Sequence, residues 1–137
     1  MPADLSETVE VKFTPEIQAL ANSLGRNPLK IFNWVRNNIE FAPTWGSIQG
    51  AQLCLETRAC NAFDTSSLLI ALLRFSGVPA RYQIGTIEVT VDKFMNWAGG
   101  FTDTEAAASL FAGGGVPSVV RRINQSGQVG AVKLEHV

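Results

Sequence analysis

The 137-residue chain reads as an α+β domain, with helices packed on a small antiparallel sheet. Three observations predict this. Apolar residues recur at helical spacing through roughly the first half of the chain, alternating segments follow, and Gly and Pro punctuate the changes of period. A chain of this length can hide a core of its own. No repeat, low-complexity tract or linker divides it, so residues 1–137 are expected to form a single domain.

Residues 1–13 are a polar lead whose Val9, Val11 and Phe13 alternate as a short edge strand would. Thr14-Pro15-Glu16 is a helix start, and Ile17, Leu20, Ala21 and Leu24 continue it at helical spacing to Gly25. Asn27-Pro28 repeats the signal, and Ile31, Trp34, Val35 and Ile39 form the stripe of a second helix. Two antiparallel helices joined by Gly25-Arg26-Asn27 follow. Phe41 to Gly46 is loop, and Ile48 to Glu56 a short helical piece. A longer helix runs from about Phe63 to Phe75, capped by Asp64 or Asn61, with Leu68, Leu69, Leu72 and Leu73 inward and Gly77-Val78-Pro79 as its stop.

Ala80 to Val89 alternates as a long strand. Asp92 to Trp97 reads as a helical turn, Gly99 to Asp103 as loop, and Thr104 to Phe111 as an alanine-rich helix closed by Gly113-Gly114-Gly115. Two strands, Ser118 to Ile123 and Val129 to Val137, flank a hairpin loop at Asn124 to Gln128. A final strand at an unpaired edge is a liability for association.

Composition excludes several functions. With 46% hydrophobic and 17% charged residues the chain is compact and globular. No apolar run approaches the roughly 20 residues of a membrane span. Eleven basic against 12 acidic residues leave a net charge of −1 and no electrostatic case for nucleic acid, and Arg121-Arg122 reads as a solvated strand position. The N-terminus carries no secretion signal, which leaves localisation open. Two cysteines, Cys54 and Cys60, are too few for a disulfide framework or a zinc site, and the helical start of the segment between them argues against a local disulfide. Gly113-Gly114-Gly115 lacks the Lys-Ser or Lys-Thr of a phosphate loop, so no cofactor or metal is expected.

Asn61-Ala62-Phe63-Asp64, the apolar helix after it, and Leu72-Leu73-Arg74-Phe75-Ser76-Gly77-Val78-Pro79-Ala80-Arg81-Tyr82 resemble the nucleophile helix and following strand of the transglutaminase-like (papain-like cysteine) superfamily. In that family's pattern, Gly-x-Cys-x-Asp, Asp64 aligns and Ala62 takes the place of the cysteine. The resemblance spans about Pro28 to Val89 and returns at Glu135-His136-Val137, with Asp92 to Gly115 as an insertion. It implies a transglutaminase-like core and acyl transfer or hydrolysis at carboxamide or peptide bonds of a protein or peptide substrate. The orienting acid of the family's triad would fall beyond Val137, so the resemblance implies a unit cut short at its C-terminal end and belonging to a larger polypeptide. The Asn-Ala-x-Asp variant is similar to bacterial transglutaminase-like domains in large secreted or repeat-bearing proteins. That similarity favours natural loss of the cysteine over an engineered change.

A thiol at a helix N-terminus is acidified by the helix dipole, and a histidine must take its proton. His136, the one histidine, stands where the resemblance puts the family's base, the alternative being an exposed or hydrogen-bonded residue near the terminus, and Cys60, two residues before Ala62, is the nucleophile only if its loop is displaced; the alternative for Cys60 is a small packed residue. Asp64 reads as a cap, Cys54 as core, and Arg74 and Arg81 as ion-pair partners that fix the helix to the strand. Trp45, Trp97 and Phe101 read as loop aromatics that pack or line a cleft. Two functions follow: a catalytically impaired acyl-transfer scaffold, or a non-catalytic domain that binds peptide or glycan or serves as a spacer in a surface protein.

Overall fold

A computed structural model of the chain describes residues 3–97, 104–116, 118–122 and 129–137. The arrangement is α+β, but helices and strands are interleaved: two short strands lie among the first four helices, and two further helices separate the first strand of the second sheet from the last two. The chain forms two compact units, Met1–Ala42 with Gly46–Gln83, and Pro43–Trp45 with Ile84–Val137.

The first unit holds a 3-10 turn at Ala3–Leu5, helices α1 (Pro15–Ser23), α2 (Pro28–Asn38), α3 (Gly50–Thr57) and α4 (Ala62–Phe75), and two short strands, β1 (Glu40–Phe41) and β2 (Ala59–Cys60). Thr14 and Asn27 cap α1 and α2 through their side chains, each with proline at the first helical position. Glycine ends α1 and α4 at positive φ, 67° at Gly25 and 84° at Gly77. There Gly25 N–H donates to Asn22 O and Arg26 N–H to Ala21 O, and likewise Gly77 N–H to Arg74 O and Val78 N–H to Leu73 O, the paired bonds of two Schellman turns.

α1, α2 and α3 all pack on α4. Ile17, Ala21, Ile31, Val35, Ala51 and Cys54 meet Leu68, Ile70, Ala71 and Leu72 in one core. The buried face of α4 is wider than its leucine stripe: Ile70 and Ala71 are buried, while Leu69 and Leu73 are only partly covered. A helix enclosed on three sides has to be apolar around most of its circumference.

Two expectations fail here for the same reason. Val9, Val11 and Phe13 form no strand; Val11 is fully buried while Val9 is 88% exposed. Glu10 instead accepts the Ala51 amide at 2.8 Å, which ties the lead to the start of α3. The strand expected over Ala80 to Val89 begins only at Gly85. Ala80 is already committed: its amide donates to Asp4 O at 3.0 Å and its carbonyl accepts Arg74 Nε at 2.8 Å. Arg74 also donates to Ser6 O at 2.8 Å, so this nearly buried guanidinium serves backbone carbonyls where an acidic partner was expected.

The second unit is a three-stranded antiparallel sheet with α5 (Val91–Trp97) and α6 (Thr104–Gly113). Its strands are β3 (Gly85–Thr90), β4 (Ser118–Arg122) and β5 (Val129–His136), in the order β3-β5-β4. β5 is therefore the central strand, not the unpaired edge expected of it. Gly85 stands opposite His136 and Thr90 opposite Ala131, while Ser118 stands opposite Leu134. Glu88 and Lys133, also opposite, form an exposed ion pair at 4.0 Å, a contact of little energetic weight.

α6 ends in a third Schellman turn, with Gly115 at φ 85° and Val116 N–H donating to Phe111 O. Gly114, just before it, is needed for space, because a Cβ there would collide with the Pro43 carbonyl oxygen. The glycine run thus closes a helix and lets the segment Pro43–Trp45 approach it. The loop expected at Gly99 to Asp103, Phe101 within it, the hairpin loop at Asn124 to Gln128, and Ile123 lie outside the described residues.

Candidate functional site

The residues to which the sequence points fall in two places, the start of α4 in the first unit and the end of β5 in the second. Each has its own local geometry.

Asn61 is the cap of α4. Its Oδ1 accepts the Asp64 amide at 2.8 Å and its Nδ2 donates to Gly46 O at 2.8 Å. Asp64, one of the two candidate caps, does something else. Its carboxylate turns away from the helix, and Oδ1 accepts the amides of Ile48, Gln49 and Gly50 at 3.1, 3.0 and 3.1 Å. Oδ2 is buried with no hydrogen-bond partner among the described residues. Together Asn61 and Asp64, each 1% exposed, bind the segment 46–50 to the first turn of α4. A carboxylate at a helix N-terminus is favoured by the dipole and here also gathers the amides that lead into the first residue of α3.

Ala62 is the first residue of α4 and Cys60 the last of β2. The Cys60 sulfur is joined to Cys54, with Cα atoms 5.7 Å apart. This overturns the expectation that the two cysteines stay unpaired. α3 ends at Thr57, and Arg58 then adopts the left-handed conformation at φ 59°. The chain turns back, β2 pairs in parallel with β1, and Cys60 returns beside the helix that carries Cys54. The crosslink closes a short loop, for which a contribution on the order of 2 kcal/mol is expected. Both cysteines are fully buried, and a disulfide sulfur is not a thiolate.

Behind the first turn of α4, the Ser67 hydroxyl donates to Phe63 O at 3.0 Å and bonds the Tyr82 hydroxyl. Burial raises the Tyr82 phenol above its usual 10.0, and the bond to Ser67 opposes that rise. The folded state thus favours the neutral phenol, so this contribution is present below pH 10 and is lost as the pH climbs beyond it. An open groove of about 300 Å³ elsewhere in this unit is lined by Leu20, Trp34, Leu55 and Arg58 among others, with the Arg58 guanidinium 4.9 Å above the Trp34 ring.

In the second unit His136 is half-buried near the end of β5. Its ring meets the Trp97 indole edge-on, with centroids 5.4 Å apart and planes at 85°. Burial lowers the imidazole pKa below the usual 6.5. The folded state therefore disfavours the cation: full stability holds above pH 6.5 and erodes as the pH falls below it, where the unfolded chain takes up the proton first. Trp97 is the last residue of α5, not a loop aromatic, and Trp45 is a half-buried loop residue. The side chains of Arg121 and Arg122 lie outside the described residues, and Arg81 is exposed.

Three features escaped the sequence reading: the amide cluster around Asp64, the disulfide, and the indole beside His136. An Asp in the first turn behind an Asn cap was a usable sign of the first, because its acceptors are left over once Asn61 takes the cap. No local sign marks the other two.

No helix among the described residues is long and apolar enough to cross a membrane. Residues 11–108 match the family model described as the transglutaminase-like superfamily. Comparisons with curated proteins and with solved structures found no match. The family match covers well over half of the chain and includes all four helices of the first unit, β3, α5 and the start of α6, so the chain belongs to the transglutaminase-like superfamily.

Proposed function

We propose that the chain is an acyl-transfer scaffold for carboxamide or peptide carbonyls, with an amine or water as acceptor, and that it is catalytically impaired as folded. One observation carries this reading: both cysteines of the chain are consumed by the Cys54–Cys60 bond. Thiol catalysis needs a thiolate at the moment of attack. A disulfide sulfur offers none, and Ala62 at the head of α4 offers none either. On this reading His136 is the base, because an imidazole held below pH 6.5 is neutral near pH 7 and can accept a proton. Cys60 is the nucleophile only after reduction. The crosslink also fits an oxidising compartment, which supports a parent protein at a cell surface or exterior.

The test is amine incorporation into a glutamine-containing peptide, with ammonia release followed in parallel. The oxidised chain is expected to give neither. After a dithiol has reduced the crosslink, any turnover should vanish in His136→Ala. Turnover by the oxidised chain at the same rate as by the reduced one overturns the reading.

A further inference from the structure

We propose that Trp97 is a positioning residue for His136, holding the imidazole in one orientation at the end of β5; this rests on the reading of His136 as the base. The indole meets the imidazole at 5.4 Å and 85°, within the range where edge-to-face aromatic pairs attract. Trp97 is itself held. Its ring packs edge-on against Phe111 at 5.5 Å, and Phe111 packs on Phe94 at 4.8 Å. Phe94 and Phe111 are fully buried, so the indole rests on a fixed support.

The backbone delivers this geometry without adjustment. α5 follows β3 with no intervening loop and packs on both β3 and β5. Gly85, opposite His136 in β3, brings no side chain to compete for the imidazole. Asp92 and Lys93 are exposed in the first turn of α5, at the opposite end of the helix from Trp97. On β4, Arg121 and Arg122 pair with Ala131 and Val129, at the other end of β5 from His136. Lys133, three residues back along β5, is exposed and faces Glu88. The side chain of Glu135, next to His136 on β5, lies outside the described residues; among the described side chains the imidazole meets the indole, in agreement with burial as the cause of its lowered pKa.

The chain has one histidine, so its ring protons are assigned without ambiguity in a proton NMR spectrum. In the unmodified chain, nuclear Overhauser contacts between the indole and imidazole protons are expected; their absence overturns the proposal without any variant. In Trp97→Ala, the imidazole protons should lose their ring-current shift and the titration midpoint should move up toward 6.5. Trp97→Phe should restore most of both. A folded Trp97→Ala chain with unchanged imidazole shifts and midpoint overturns the proposal. If Trp97→Ala does not fold, the contacts in the unmodified chain decide alone. None of these readouts requires turnover, so turnover of the reduced chain that survives His136→Ala removes the reading of His136 as the base and leaves the orienting contact standing.

Discussion

Replacing Asp64 with alanine is expected to destabilise the chain by about 3–4 kcal/mol, because three backbone amides lose their acceptor at once and each costs roughly 1 kcal/mol or more. The amides of Ile48, Gln49 and Gly50 converge on a single carboxylate oxygen that is almost wholly buried, so water cannot easily take its place. The damage is structural as well as energetic, since this oxygen and the Asn61 amide hold the segment before α3 against the first turn of α4. Asp64→Asn should cost clearly less. Its carbonyl oxygen can accept the same three amides, with only the charge assistance lost. Urea unfolding of the two variants measures both effects. A cost below about 1 kcal/mol for Asp64→Ala would show that the amides find other partners.

Phe111→Ala is expected to cost about 3–5 kcal/mol, the usual range for emptying a buried aromatic site. Phe111 is fully buried in the second unit, where its ring packs on Phe94 and Trp97. The loss should be read where it occurs. Hydrogen exchange at the β3 and β5 amides should speed up in this variant before the α4 amides change, because the two units have separate cores. Uniform acceleration across both units would instead mean that the chain opens as one cooperative body.

What the sequence made legible was local. Thr14-Pro15 and Asn27-Pro28 mark helix starts because cap and first turn are settled within four residues, and Gly25, Gly77 and Gly115 mark helix ends because only a residue at ease with positive φ closes a Schellman turn. The frame around α4 was legible for the same reason, down to Asn61 as one of the two candidate caps. What was not legible was pairing between distant segments. β1 and β2 are two residues each, too short for any periodicity. The disulfide depends on Arg58 turning left-handed at φ 59°, which a non-glycine residue does not advertise. Ala80 alternates with Tyr82 like a strand, yet its amide and carbonyl are taken by Asp4 and Arg74 before any ladder can form. The central position of β5 follows from the register of three strands, and alternation within one strand carries no information about its neighbours.

The state of the two sulfurs decides the account most directly. Purified protein, unfolded in denaturant without reductant and treated with iodoacetamide, should show no added mass on the intact chain, and after reduction by a dithiol both Cys54 and Cys60 should be alkylated. Alkylation of Cys60 in the folded, unreduced protein, fast at neutral pH and slowed by His136→Ala, would contradict the account and identify a working thiol in its place.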